Sequence, residues 1–284
     1  MSITIKDRDD RLGSNFIVKI STYIYGLINN VKIYHNSDIK YKNSIFIKPF
    51  IVNSTEKPKN YTEDTIKTLG GVRGTMSSPT IQLKQDLVSY FNEHLKKLFF
   101  DIVNNEAIQR NYKLPWSDNS KIICIHLRCD DRYNWNDYDG RGSAQYITNL
   151  IETNSFEKYN RDIMMSKGQD TQVCIDPNKL KNFITLFKKE HPEKEIHIIF
   201  YGRLPDQIQK LITEFKICVH TSKDPDYDLW LLLNSEILVL SKSSYSILAG
   251  FYHLGSKVYY PLWGTGVSCG LNSKYDKSGW IPYI

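Results

Sequence analysis

The sequence predicts an α/β fold made of two Rossmann-like lobes with a cleft between them, and two observations carry this prediction. Downstream of residue 178, short apolar runs alternate with amphipathic helical patterns of about ten to fifteen residues, which is typical of βαβ units on a parallel sheet. Upstream, a helical pattern is followed by strand-like runs, and the polar segment 111–119, which contains Pro115, separates the two parts. We therefore expect lobes at residues 1–115 and 116–284. Clefts between domains are preferred ligand sites.

The elements expected in the first lobe follow from hydrophobic spacing. Apolar residues recur at helical spacing over 16–28 and again over about 82–106, while shorter apolar runs at 31–34 and 44–52 are typical of strands. The segment 53–78 is polar and carries Pro58 and several glycines, so we expect a long loop there.

The second lobe is expected to open with an apolar strand at 122–127 and to continue as alternating helices and strands. The helical patterns cover 178–190, 205–214, a segment beginning near 226, and 243–254, and the strand-like runs are 196–201, 215–220, 237–240 and 258–261. The tyrosine-rich polar segment 131–169 lies between the first strand and this series, and we expect it to be an active-site loop with a short helix near 144–153.

The composition indicates an ordinary globular protein. Of its 284 residues, 41% are hydrophobic and 24% are charged, which is enough apolar material for a core. The net charge of +6 is compatible with an anionic ligand such as a nucleotide, but the basic residues are scattered, which disfavours nucleic-acid binding. The five cysteines show no CxxC pair and no regular spacing, which argues against a disulfide framework or a zinc site. Because no apolar signal region and no stretch of ~18 to 20 apolar residues is present, we expect a cytoplasmic protein without a membrane span.

Three short segments carry residues suited to binding an anion. His126 and Arg128 end the first strand of the second lobe, and the carboxyl end of such a strand is where α/β sheets bind ligands. Arg can fork onto a phosphate with two parallel hydrogen bonds. The serine-rich run 241–246 precedes a helical pattern, and the turn 11–15 precedes the first one, so both offer helix N-termini to an anion. The alternative is that Ser243 or Ser244 is a plain N-cap.

These segments resemble a known family. The peptide 126–131, His-Leu-Arg-Cys-Asp-Asp, is similar to the His-x-Arg-Arg-x-Asp peptide of the α1,2-, α1,6- and protein O-fucosyltransferases. The stretch 226–246 resembles the α1,2-fucosyltransferase segment in which an acidic, leucine-rich helix precedes a strand and then Asn-Ser-Ser/Thr-Phe-Ser-Trp-Trp. The opening Arg-Leu-Gly-Ser-Asn-Phe at 11–16 and the Pro and Trp residues of the tail also fall where the family has similar residues.

The resemblance implies a GT-B fold and an inverting, metal-independent transfer of fucose from GDP-fucose to a hydroxyl of a glycan acceptor, in α1,2 linkage. It implies that Arg128 pairs with the β-phosphate of GDP, that His126 supports the ribose or phosphate region, and that Asp131 orients Arg128 or contacts the donor. The first lobe is then the acceptor side and the second lobe the donor side. The resemblance also implies a set of donor-binding residues, of which Asp228 would contact the guanine or the ribose: Arg11, Gly13, Asn15, Asp228, Ser243, Ser244, Tyr245 and Ser246. No metal and no further cofactor is implied.

The sequence departs from the family pattern at several positions. Cys129 stands where the family has a second Arg, Ile247 and Leu248 replace the Trp pair, and Ser14 stands where Asn is usual. These departures leave open a second reading, in which the protein binds a GDP-sugar or a glycan without catalysis or with a different specificity. The acceptor, the catalytic base and the oligomeric state stay open as well.

Overall fold

The computed structural model describes residues 2–5, 7, 12–58, 89–129, 175, 177–202, 204–261 and 278–283. The chain divides into two compact units, which we call the N-terminal unit (Met1–Tyr112 and Ser268–Ser278) and the C-terminal unit (Lys113–Val267 and Gly279–Ile284). Each unit contains helices and its own parallel sheet. The α/β class predicted from the sequence is therefore confirmed.

The N-terminal unit is built on a three-stranded parallel sheet in the order β1-β2-β3. Its elements in chain order are β1 (Ser2–Ile5), α1 (Leu12–Ile28), β2 (Lys32–His35), α2 (Lys48–Val52), β3 (Thr55–Glu56) and α3 (Lys96–Gln109), with one π-helical turn (Phe91–Leu95) before α3. The helices meet in a cluster of aromatic rings. Phe50 lies at its centre, with ring centroids 5.2 Å from Phe99 and 5.8 Å from both Phe16 and Tyr23.

The strand predicted over 44–52 is wrong. The structure has a buried turn followed by the short helix α2. A half-buried strand would alternate buried and exposed side chains, but all four residues of 44–47 are buried, and the carbonyl of Ser44 accepts from the backbone N–H groups of Ile47 and Lys48. Pro49 then lies at the start of the helix, where its missing N–H is not needed.

The C-terminal unit has a six-stranded sheet in which all strands run parallel. Its strands are β4 (Ile122–Cys129), β5 (Glu195–Gly202), β6 (Cys218–His220), β7 (Ile237–Val239), β8 (Lys257–Pro261) and β9 (Ile281–Tyr283). The helices that connect them are α4 (Pro177–Glu190), α5 (Asp206–Phe215), α6 (Pro225–Leu233) and α7 (Ser244–Tyr252). These elements follow the predicted alternation closely, and β9 was not predicted.

The strand order of this sheet is β6-β5-β4-β7-β8-β9. Counted from the first strand of the unit, this is 3-2-1-4-5-6, the order of the Rossmann fold. The order reverses between β4 and β7, which pair side by side with Ile125 opposite Val239. Ligands of open α/β sheets bind outside the carboxyl ends of the strands at such a switch point. The residues that follow β4 and β7 are therefore the first place to look for a site.

Side-chain alternation along β4 separates core residues from site residues. Ile123, Ile125 and Leu127 face the apolar core that α4 and α5 cover. The side chains between them point to the opposite face, where the thiol of Cys124 lies 3.9 Å from the carbonyl oxygen of Leu231 in α6. His126 and Arg128 follow Cys124 on this second face and end near the switch point.

Candidate anion-binding site in the C-terminal unit

The loop between β7 and α7 is held by a network of serine hydroxyls. The fully buried Ser246 hydroxyl lies 2.9 Å from the carbonyl of Ser241 and 3.0 Å from that of Ser243, and it accepts from the backbone N–H of Ser241 at 3.2 Å. The network fixes the loop against the first turn of the helix. It explains why three of the serines that the sequence placed before a helix are buried rather than solvated.

His126 joins this network from the neighbouring strand. Its Nδ1 lies 2.7 Å from the hydroxyl oxygen of Ser241. Burial, and secondarily the charge of Arg128, lower the pKa of His126 to about 3, so the imidazole is neutral at physiological pH. If Ser241 donates to Nδ1, the ring carries its own hydrogen on Nε2 and can donate to a ligand. His126 then acts as a neutral hydrogen-bond donor and adds no charge.

Arg128 reaches the same loop and provides the cation. Its Nη1 lies 3.4 Å from the hydroxyl oxygen of Ser243. The same oxygen accepts from the backbone N–H of Tyr245 at 3.2 Å, so Ser243 is the N-cap of α7. The alternative of an N-cap is therefore what Ser243 forms, and the same hydroxyl also contacts Arg128.

The hydroxyl group of Ser243 can still donate one hydrogen bond. A serine oxygen has two lone pairs and one hydrogen, and both lone pairs of Ser243 receive N–H groups. Within the described ranges no acceptor is recorded for its hydrogen, and the side chain is 2% exposed. A ligand with acceptor oxygens, such as a phosphate, would satisfy it. The N-terminal N–H groups of α7, which has nine residues, point to the same end of the helix.

Tyr245 connects this site to the start of α6. Its ring centroid lies 5.4 Å from that of His126. Its phenol donates to the carbonyl of Pro225. The hydroxyl therefore contacts the first residue of α6. Burial, followed by the charges of Asp228 and its acidic neighbours, raises the pKa of Tyr245 well above its ordinary value, so the phenol stays protonated.

Asp228 is a buried carboxyl in the first turns of α6. It is 5% exposed, and its Oδ1 has no hydrogen-bond partner among the described residues. Burial raises the pKa of Asp228 to about 6, a contact with Ser222 acts in the opposite direction, and Asp224 adds to the rise. An unsatisfied buried carboxylate costs folding free energy and marks a candidate site for a ligand with N–H or O–H donors. The helix itself is capped by Asp224, whose Oδ1 accepts from the backbone N–H of Asp226 at 3.0 Å.

The predicted site residues thus fall into three groups. His126, Arg128, Ser243, Tyr245 and Ser246 come together at the switch point, Ser244 is the first residue of α7, and Asp228 lies close to Tyr245. Gly13 and Asn15 belong to the N-terminal unit and are buried. The turn predicted around them is wrong, since α1 already begins at Leu12. Arg11 and Asp131 lie outside the described residues, as does the loop predicted over 131–169.

Sequence reasoning missed two residues of the loop after β7. Ser241 was not singled out for a role, although it holds His126. Lys242 was passed over as well, but its side chain is only 5% exposed, which is unusual for a lysine. Its position between two buried serines was the available signal.

Among the described residues no three His, Cys, Asp or Glu side chains are grouped so that they could hold a metal ion. In the same part of the chain, none of the helices combines the length and the apolar character that crossing a bilayer requires.

Comparisons with known proteins give only distant matches. No family model matches the sequence, and no curated protein matches it. Among solved structures, POFUT1 in complex with GDP is similar with a TM-score of 0.31 and 13% identity, over 55% of this chain and 44% of that one. The apo form of POFUT1 gives a TM-score of 0.31 and 13% identity, over 63% and 49%. The chain thus spans about half the length of these structures, and the TM-scores lie below the value that marks a shared fold.

Proposed function

We propose that this protein is a GDP-sugar-dependent glycosyltransferase that transfers fucose from GDP-fucose to a hydroxyl of a glycan acceptor. The observation that carries the proposal is the meeting of Arg128, the Ser243 hydroxyl and the N-terminus of α7 at the switch point of a Rossmann-type sheet. A guanidinium, a buried hydroxyl hydrogen and free backbone N–H groups together suit a diphosphate.

Such a site can promote departure of a nucleoside diphosphate. Breaking the bond between sugar and phosphate builds negative charge on the leaving group and positive charge on the sugar. Donors that are already fixed in place stabilise that charge most as the bond breaks. Arg128 would supply the positive charge, while Ser243 and the neutral imidazole of His126 would donate hydrogen bonds. We propose that these groups act on the diphosphate without a metal ion.

Asp228 would recognise the other end of the donor. The edge of guanine presents two adjacent N–H donors, and a carboxylate can accept from both, whereas adenine offers no such pair. The buried Oδ1 of Asp228 has the acceptor capacity for this contact, and a ribose hydroxyl is the alternative donor. Because the acid form cannot accept two hydrogen bonds in this way, the affinity for GDP should fall as the pH drops through about 6.

Transfer to a glycan with inversion and in α1,2 linkage is the finer part of the proposal. It is supported by the similarity of residues 126–131 and 226–246 to the fucosyltransferase peptides. Arg11, Gly13 and Asn15 as donor ligands, and Asp131 as a partner of Arg128, belong to this part. So do an acceptor side formed by residues 1–115 and a cytoplasmic location.

A panel of nucleotides tests the donor. Thermal unfolding of the full chain is followed with GDP, GDP-fucose, GDP-mannose, ADP and UDP, since a ligand that binds the folded state raises the midpoint. We expect GDP and GDP-fucose to raise it and ADP and UDP to leave it unchanged. Asp228→Asn should remove the preference for guanine, while Asp206→Asn, an exposed carboxyl at the start of α5, serves as the control. Equal shifts with all nucleotides would contradict the proposal.

A second candidate is a protein that binds a GDP-sugar without turning it over. The observation that favours it is that Arg128 is the single cation of strand β4, because Cys129 follows it. Release of fucose from GDP-fucose, measured with and without a panel of oligosaccharides, separates the two candidates. Binding of GDP-fucose with neither hydrolysis nor transfer would favour the silent protein.

A further inference from the structure

Tyr245 contacts both ends of the proposed donor site. Its backbone N–H donates to the Ser243 hydroxyl at 3.2 Å, and its ring lies against the imidazole of His126 with centroids 5.4 Å apart. Its phenol donates to the carbonyl of Pro225, the first residue of α6. Tyr245 therefore connects the loop between β7 and α7 (residues 240–243), which we call the anion-binding loop, to the helix that carries Asp228.

The position of the Asp228 carboxyl depends on where the first turn of α6 lies. Asp228 lies three residues after Pro225, whose carbonyl accepts from the phenol, and its carboxyl is buried with an unsatisfied Oδ1. A buried carboxyl cannot seek a ligand by rotating into solvent, so its distance from the diphosphate donors is set by the packing of α6 against α7. The Tyr245 hydroxyl makes a polar contact between these two helix starts.

We infer that Tyr245 is a positioning residue. It holds Asp228 and the groups that donate hydrogen bonds to the diphosphate at the distance that one nucleoside diphosphate spans. The inference rests on the proposed function, because it takes GDP as the ligand. Each end of the site can still bind its own fragment when the spacing is lost. What is lost is the advantage of binding both ends at once, which depends on their relative placement.

The test removes the hydroxyl and keeps the ring. We expect Tyr245→Phe to weaken GDP binding about tenfold, the effect of losing one well-placed hydrogen bond. The affinity for inorganic pyrophosphate, which occupies only the diphosphate end, should stay within about twofold of the wild type. Calorimetry on the full chain gives both constants.

Tyr227→Phe is the matched control. The Tyr227 hydroxyl lies on the same helix and also donates to a backbone carbonyl at 2.8 Å, but that carbonyl belongs to Lys113, which precedes β4 in the chain. We expect this variant to bind GDP as the wild type does. In the background of Asp228→Asn, Tyr245→Phe should cause no further loss of GDP affinity, because the contact that it positions is already gone.

The outcomes are distinct. If wild-type protein does not bind GDP, the proposed function and this inference both fail. If it binds GDP and Tyr245→Phe binds GDP equally well, the inference alone is wrong. If Tyr245→Phe weakens pyrophosphate binding as much as GDP binding, Tyr245 supports the loop generally and the positioning role is also wrong.

Discussion

Replacement of Arg128 by Ala is the most direct perturbation of the proposed site. Removing one fixed donor from a site that stabilises developing negative charge costs about 10²–10³-fold in turnover, or about 2.7–4 kcal/mol. The cost to folding should be much smaller. Arg128 donates a long hydrogen bond of 3.4 Å to the neutral hydroxyl of Ser243, and its side chain is only partly buried. We expect the free energy of unfolding to change by about 1 kcal/mol or less.

Release of GDP from GDP-fucose is the assay, and urea unfolding is measured in parallel. Lys188→Ala is the control, because it removes the same charge from the exposed last turn of α4. The pKa of His126 offers an independent readout. Since the charge of Arg128 is one cause that lowers it to about 3, the pKa should rise in Arg128→Ala, as followed by NMR of the imidazole. Full turnover in a folded Arg128→Ala protein would refute the reasoning.

Three further predictions concern the stability of the C-terminal unit. Ser243→Ala removes the N-cap of α7 and should lower the free energy of unfolding by about 1 kcal/mol in urea titrations, with weaker GDP binding. Burial lowers the pKa of both His197 and His220, whose facing nitrogens lie 2.8 Å apart. Below about pH 6.5 the unfolded chain therefore binds more protons than the folded one. The free energy of unfolding should keep its full value above about pH 6.5 and fall as the pH drops below it. His220→Gln should make this pH dependence shallower, and an unchanged slope would contradict this account. Gly255→Ala would drive a Cβ into the carbonyl of Glu236, so a larger loss than for Ser243→Ala is expected, checked by the same titrations.

The helices and strands of the C-terminal unit could be predicted because their patterns are strong and local. The buried strands are short apolar runs, and α4 and α5 bury one face each. The prediction of a strand over 44–52 is wrong because the pattern there is weak. An apolar run has no period of its own there, and the choice between strand and turn depends on which tertiary surface covers it, which in this case buries every residue from Ser44 to Ile47.

The juxtaposition of His126 and Arg128 with the loop after β7 could also be predicted, because backbone topology creates it. A parallel sheet brings the carboxyl ends of neighbouring strands to one edge, so His126 and Arg128 meet the loop after β7 once those strands are neighbours. The part of each serine could not be predicted. Whether Ser241, Ser243 or Ser246 faces His126, Arg128 or a carbonyl depends on loop conformation within a few ångströms.

The acidic residues of α6 show what the sequence alone could not predict about the site. Asp226 and Asp228 both lie in the first turn of α6, and both are 5% exposed. What distinguishes them is local packing, because Asp228 has an unsatisfied Oδ1. A buried carboxyl oxygen that has no partner lowers stability, and a ligand that donates a hydrogen bond to it removes that cost. The anion-binding loop alone would suit many phosphates. It is the fixed distance from that loop to Asp228 that would make the site selective for one nucleotide.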